Sequence, residues 1–147
     1  MGFFKSINVS ATGLTAERLR MDIISKNIAN ADTTRTSAGT PYRRQMAIFK
    51  EQTSGNSFQQ FLNEAQGNST GGNGVEVVKI AEDQTAFKRV YNPGHPDADE
   101  EGYLLMPNVD VVTEMVNLIS ASRGYEANVT ALNASKSMAS KALEIGR

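Results

Sequence analysis

The strongest constraint on the fold is a heptad pattern that runs through residues 108–146. One line of positions advances there by alternating steps of four and three residues, and eight of its ten members are apolar. A repeat held over this length predicts a single long helix of the coiled-coil type. The line consists of Val111, Met115, Leu118, Ser122, Tyr125, Val129, Leu132, Lys136, Ala139 and Leu143.

The flanks of this helix carry Asn, Ser, Thr and Ala where a solvated rod would carry dense Glu and Lys pairs, which predicts packing on several sides. Pro107 precedes the helix, and Asn108 or Asp110 is a candidate N-cap.

A second helix is predicted over residues 4–30. Its apolar positions recur at every seventh residue and form a narrow stripe on an otherwise polar helix. These positions are Ile7, Leu14, Met21 and Ile28. A hairpin of two such helices cannot bury both stripes fully. We therefore expect the two ends of the chain to be marginal in the monomer and to become ordered against neighbouring subunits.

The middle of the chain has a different composition. Segments rich in β-branched and aromatic residues predict strands within 42–51, 75–83, 85–91 and 103–106. A polar Gly/Ser/Asn stretch at about 53–74 predicts a flexible loop. The predicted fold is thus α+β. Residues 1–34 and 107–147 supply the helices of a coiled-coil-like inner domain, and residues 35–106 form a small β-rich region.

Composition excludes several classes of function. The chain has no cysteine, so disulfides and thiolate zinc sites are ruled out. The net charge of −1 offers no basic face for nucleic acid. No apolar run reaches the roughly 18 residues of a membrane span. The first residues lack the apolar core of a secretory signal, so we expect no cleaved signal peptide.

The only histidine lies in a turn-rich stretch, "YNPGHPDADEEGY", with four carboxylates close behind it. We predict a rigid connecting turn in which two prolines fix their own φ angles and the glycine supplies freedom between them. Its residues are Pro93, Gly94, His95 and Pro96. The acids come from one short loop and no second histidine joins them, so we expect neither a metal site nor a catalytic site. The alternative from another class is a cation-binding hydrolase or sensor centred on this loop.

Three stretches carry a family resemblance. "SKNIANADTT" at residues 25–34 resembles the N-terminal signature of bacterial flagellar rod and hook proteins, and residues 107–146 resemble their C-terminal helix. "YNPGHPDADEEGY" resembles a segment of the proximal-rod type. The resemblance implies a non-enzymatic subunit of the rod without cofactors, in which helices pack into an inner layer and transmit torque. The alternative within the family is a distal rod or hook protein.

The resemblance also implies partners and a location. We expect contacts with other rod subunits and with copies of this chain, inside the rings of the basal body and across the periplasm. Delivery by the flagellar type III export apparatus is expected, without membrane insertion. The expected interface residues are Ile7, Leu14, Met21, Ile28, Val111, Met115, Leu118, Tyr125, Val129, Leu132 and Leu143.

Polar residues of the two helical motifs are further candidates. Asn27 and Asn30 either end the first helix in the ordinary way or donate their amides across subunits. Arg123 and Glu126, three residues apart, are candidates for a pair with each other or for an intersubunit contact. Asn128 belongs to the same C-terminal motif.

Overall fold

The computed structural model describes residues 3–52, 62 and 74–145. Its elements are helix α1 (Phe3–Ala29), strands β1 (Gln45–Glu51), β2 (Val75–Glu82), β3 (Lys88–Tyr91) and β4 (Tyr103–Met106), and helix α2 (Val111–Ile145). The predicted α+β class with two terminal helices and a β-rich middle is confirmed. The predicted loop at about 53–74 lies outside the described residues, apart from Leu62 and Gly74.

The two helices pack antiparallel in one constant register. Gly13 lies against Asn128, Gly124 lies against Glu17, and Asn27 bonds to Glu114. A Cβ atom added at Gly13 would come within 3.1 Å of the Asn128 amide. The glycines therefore allow the helix backbones to approach while polar side chains fill the space beside them.

The face of α2 turned toward α1 is rotated slightly from the predicted line. Its buried and half-buried positions recur along Glu114, Leu118, Ala121, Tyr125, Asn128, Leu132, Ser135 and Ala139. The predicted line shares every second member of this set, namely Leu118, Tyr125, Leu132 and Ala139. Its other members include Val111, Met115 and Leu143, which are exposed. This face includes two small residues, the buried Ala121 and the half-buried Ser135.

The strands form two separate antiparallel ribbons. β1 pairs with β2, with a bulge between Ile48 and Phe49, and β3 pairs with β4. The first ribbon lies against α1, where the Val75 amide donates to Thr12 Oγ1 at 3.2 Å. The link between β2 and β3 therefore passes from one ribbon to the other, and the two strands do not pair.

The core is small and lies where the end of α1 meets the ribbons. Among the described residues its buried apolar side chains are Ala16, Ile23, Ile24, Ala31, Leu104, Val109 and Ala121. Many other large apolar side chains of both ribbons and of α2 stay exposed in the single chain. Within the described ranges, neither helix is long and apolar enough to cross a membrane.

Candidate functional site

A buried amide joins α1 to the first strand. Asn27 is 1% exposed. Its Nδ2 donates to the carbonyl of Gln45 at 2.8 Å, and its Oδ1 accepts the Gln45 amide at 2.9 Å. The side-chain amide thus bonds to β1 as a neighbouring peptide group would, and it satisfies backbone groups at the strand's open edge. An amide is required here because one group must both donate and accept.

The second amide hydrogen of Asn27 reaches α2. Nδ2 donates to Glu114 Oε2 at 2.8 Å, and Glu114 is also 1% exposed. The other carboxylate oxygen accepts both Nε and Nη2 of Arg44, at 3.0 and 2.8 Å. It also accepts Nδ2 of Asn117 at 3.2 Å. A buried carboxylate is tolerated only with partners of this kind, because an unpaired one costs several kcal/mol.

Asn108 extends the network to the link between the ribbons. Its Oδ1 accepts the Arg44 amide at 2.9 Å, and its Nδ2 donates to the Asp83 carbonyl at 3.1 Å and to Thr85 Oγ1 at 2.8 Å. Asp83 also lies 3.5 Å from the Arg44 guanidinium. Hydrogen bonds from Thr85, with a smaller contribution from Arg44, lower the pKa of Asp83.

Tyr42 closes the network on its outer side. Its hydroxyl donates to Asn27 Oδ1 at 3.0 Å. Burial raises the pKa of the phenol, and the nearby carboxylates of Glu114 and Glu82 raise it further. We call Asn27, Tyr42, Arg44, Asn108 and Glu114 the polar joint. It connects both helices, the start of β1 and the link that follows β2.

The two asparagines of the first motif take different roles. Asn27 uses both amide hydrogens and two acceptor positions within the chain. The Asn27 side chain therefore has no free hydrogen-bonding position left for a neighbouring subunit. This does not favour the alternative in which its amide donates across subunits. Asn30 donates to the Lys26 carbonyl at 2.8 Å and accepts the Thr33 hydroxyl at 3.2 Å. These bonds are those of a helix-ending residue, and a role for Asn30 between subunits stays a prediction.

The polar residues of the second motif lie along α2. Asn128 donates to the Gly124 carbonyl at 3.0 Å and packs against Gly13. Arg123 and Glu126 are exposed. In the part of the chain that the structure describes, no ion pair joins these two side chains.

The expected interface residues divide into two groups. Ile7, Leu14, Met21 and Ile28 of α1 are half-buried, as are Leu118, Tyr125, Val129 and Leu132 of α2. Val111, Met115 and Leu143 are exposed, at 39, 53 and 78%. Their role between subunits stays a prediction.

The histidine turn connects β3 to β4 and docks on the chain that leaves α1. Asp97 Oδ2 accepts the Thr34 hydroxyl at 2.9 Å, and Asp97 Oδ1 lies 3.6 Å from the Arg35 guanidinium. His95 Nδ1 accepts the Asp97 amide at 3.1 Å, so a lone pair that a metal would need is engaged within the turn. Among the described residues, no three His, Asp or Glu side chains are grouped to hold a metal ion.

The glycine on which this turn depends is not the one expected. Gly94, between Pro93 and Pro96, does not have a positive φ, whereas Gly102 has a φ of 81°. A Cβ atom at Gly102 would lie 3.0 Å from Tyr91 Cε2 and 3.2 Å from Pro93 Cβ. The tight return into β4 requires the left-handed backbone, and the closely packed Tyr91 leaves no space for a side chain.

Sequence reasoning did not single out Arg44, Tyr42 or Glu114 as members of a site. One signal for Glu114 was available, since it is the only charged residue between Val111 and Ser122. A lone acid in an apolar helical run indicates either an exposed face or a buried pair. The choice between them depends on Arg44, which lies seventy positions away in the chain.

Two protein-family models match parts of the chain. Residues 7–35 match the family model described as "Flagella basal body rod protein". Residues 100–145 match the model "Flagellar basal body rod FlgEFG protein C-terminal". The first match covers most of α1 and the segment that follows it, and the second covers the histidine turn's end, β4 and α2.

Several full-length relatives carry one name. The chain is 53% identical to the flagellar basal-body rod protein FlgC of Bacillus subtilis, over 100% of both chains. It is 50% identical to FlgC of Borreliella burgdorferi, over 99% of this chain and 98% of the relative. The identity to FlgC of Salmonella typhimurium is 40%, over 100% of both chains. The chain therefore belongs to the FlgC family of flagellar basal-body rod proteins.

Proposed function

We propose that this structural subunit of the flagellar basal-body rod works in the proximal rod by packing its helices against neighbouring subunits and so transmits torque. The observation that carries the proposal is the exposure of Val111, Met115 and Leu143. They lie on a helix whose heptad pattern predicts a coiled-coil partner. In the single chain, the only described element that α2 packs against extensively is α1. Apolar side chains left in water on a helix are stabilised when another helix covers them.

The polar joint gives this function a mechanical basis. Torque carried by the two helices reaches the β-ribbons only if the helices and the ribbons are joined rigidly. The joint supplies this connection. Asn27 bonds to Gln45 and donates to Glu114, and Glu114 accepts from Arg44, with each distance 3.0 Å or shorter. Fully satisfied buried networks restrict the segments they join to one arrangement.

The full-length relatives name a rod protein, which favours this function over a hook subunit and over a hydrolase centred on His95. Assembly with other rod components in the basal body follows from the family. The proposal adds contacts with copies of this chain, delivery by the flagellar type III export apparatus, and a place across the periplasm inside the rings. It includes no enzymatic activity, cofactor or nucleic acid.

The test replaces Leu132, a half-buried apolar residue of the helical layer that α1 and α2 form together. Leu132→Asp places a charge on the line of α2 that packs against α1, and we expect swimming to be lost while the chain is still exported. Asn133→Asp is the matched control, because position 133 is exposed on the same turn. Ser135 is unsuitable as a control, since it is half-buried on the contact face.

Motility in soft agar and the presence of the variant in isolated basal bodies are the two readouts. Normal swimming with Leu132→Asp would contradict the role of the helical layer. A loss of swimming with both variants would show that α2 tolerates no added acid on either side. The effect of Leu132→Asp would then not support a special role for the face that packs against α1.

A further inference from the structure

The hairpin that carries the histidine turn stands apart from the other elements. Within the described chain, no Cα atom of either helix or of the first ribbon lies within 8 Å of a Cα atom of β3 or β4. Every residue of β3 is exposed, and Leu104 is the only buried residue of β4. A two-stranded ribbon is marginal in water by itself. The position of this hairpin therefore depends on contacts at its ends. We call residues 88–106 the arm.

The base of the arm is tied to the rest of the fold. Asn108 Nδ2 donates to the Asp83 carbonyl at 3.1 Å and to Thr85 Oγ1 at 2.8 Å, so the segments that enter and leave the arm are bonded to each other. Lys88 Nζ donates to the Val109 carbonyl at 2.7 Å, which joins the first residue of β3 to the segment just before α2. Because Asn108 belongs to the polar joint, the base keeps its place beside the helices.

The far end of the arm is held by one side chain. Asp97 Oδ2 accepts the Thr34 hydroxyl at 2.9 Å, and Oδ1 lies 3.6 Å from the guanidinium of Arg35, a side chain that is 72% exposed. In the part of the chain that the structure describes, the other hydrogen bonds of residues 92–102 stay within the arm. An exposed ion pair contributes little. The hold on the far end therefore rests mainly on the bond between Thr34 and Asp97.

An open cleft of about 360 Å³ separates the arm from the segment that follows α1. The two sides of the cleft therefore do not pack flush. Leu104 lies three residues before Pro107, close to the tied base, where a rotation of the arm displaces it least. The side chains that face each other across the cleft include Thr34, Gly39 and Pro41 on one side and Pro96, Ala98 and Leu105 on the other.

We propose that the arm is a hinged element with two positions, docked while Asp97 holds Thr34 and swung away from the segment after α1 when this contact opens. The hinge is formed by the ends of β3 and β4 next to the tied base, so the helices, the first ribbon and the polar joint keep their arrangement. The arm carries Val90, Tyr91 and Leu105, which are 46, 65 and 45% exposed. Its position therefore decides where these apolar side chains are presented.

The inference goes beyond the proposed function and does not depend on it, because it concerns the single chain. Since the chain has no cysteine, two spin labels can be attached at chosen positions. Gly94→Cys in the turn together with Ser25→Cys on the exposed side of α1 reports the position of the arm. Lys79→Cys in β2 together with Ser25→Cys is the control pair for the first ribbon. Double electron–electron resonance on the purified chain measures both distance distributions.

With Asp97 in place, we expect one narrow distance between positions 25 and 94. Asp97→Ala should add a second distance, and the fraction of chains outside the docked distance should rise by about fivefold or more, as the loss of one hydrogen bond predicts. Thr34→Val should change the distribution in the same direction. Glu100→Ala is the matched control, since it removes an exposed acid of the same turn, and it should leave the distance narrow. The distance between positions 25 and 79 should be the same in every variant.

An unchanged distance between positions 25 and 94 in Asp97→Ala would overturn the inference. A wild-type distribution as broad as that of Asp97→Ala would also overturn it, because Asp97 would then not hold the arm. Broadening of both label pairs together would do the same, since the arm would not move separately from the first ribbon. These outcomes leave the proposed function standing, because that function is tested by motility and by incorporation into basal bodies.

Discussion

The Asn27 Nδ2 atom and the Glu114 Oε2 atom lie 2.8 Å apart between the two helices, and each residue is 1% exposed. Eighty-seven positions separate them in the chain. The same amide bonds to both backbone groups of Gln45, so one side chain connects the two helices and the first ribbon.

Removal of the carboxylate should destabilise the whole joint. Glu114→Ala leaves one Asn27 amide hydrogen, and Nε and Nη2 of Arg44, without their acceptor. We expect a loss of about 2–4 kcal/mol in the free energy of unfolding. The value is below that of a fully buried pair because the Arg44 side chain is 23% exposed. Urea unfolding of the purified chain measures it.

The matched control is Glu126→Ala, an acid-to-alanine change at an exposed position of the same helix. It should change the unfolding free energy by no more than about 0.5 kcal/mol. Equal effects of the two changes would mean that the joint contributes nothing beyond the ordinary cost of removing a helical acid.

Tyr42 predicts a loss of stability in alkali. Its folded pKa lies above the ordinary value of 10.0, because burial and the carboxylates of Glu114 and Glu82 disfavour the phenolate. Because the folded pKa of Tyr42 is raised, the contribution of its neutral hydroxyl to stability is fully present below about pH 10. That contribution is lost as the pH rises through the folded pKa.

Urea unfolding at about pH 9 and about pH 11, on either side of the ordinary tyrosine pKa, measures this loss. Tyr42→Phe is the reference, since it lacks the titrating hydroxyl and keeps the ring. The wild type should lose more stability than Tyr42→Phe between the two pH values. The same loss in both proteins would show that other groups account for the pH dependence.

The turn between β3 and β4 should distinguish two glycines. Gly102→Ala forces a side chain into a backbone with φ of 81° and places its Cβ 3.0 Å from Tyr91 Cε2. We expect the unfolding free energy to fall by about 1–3 kcal/mol. Gly94→Ala meets no atom nearer than the Asn92 Oδ1 at 3.9 Å, so it should be neutral or stabilise by up to about 1 kcal/mol. Thermal unfolding of the two variants checks the order, and a larger loss with Gly94→Ala would contradict it.

His95 should not support tight binding of a transition metal. Its Nδ1 accepts the Asp97 amide, and Asp97 is engaged by Thr34. Calorimetric titration of the wild type and of His95→Ala with zinc should give the same result, without micromolar binding that depends on the histidine. Pro96→Gly serves as a comparison, because it loosens the turn and leaves His95 in place. Micromolar binding that disappears in His95→Ala would revive the hypothesis of a cation site.

The sequence by itself determined the elements and their order. The heptad spacing from Val111 to Leu143 predicts α2, and the seven-residue spacing from Ile7 to Ile28 predicts α1, because a helix brings positions three and four apart to one face. The strands followed from β-branched residues between turn signals. The N-cap was narrowed to two residues, and the structure selects Asp110, since Asn108 bonds instead to Arg44 and Thr85.

Only the tertiary structure decided which face of α2 meets α1 and which polar residues are buried. The contact face includes small residues at positions 121 and 135, and a hydrophobic count gives such positions little weight. Glu114 interrupts the apolar pattern, so periodicity assigns it to solvent. It is buried because Asn27, Arg44 and Asn117 together supply four donors to its two oxygens. Whether a charge can be buried depends on its partners, and two of these come from distant segments that only folding brings together.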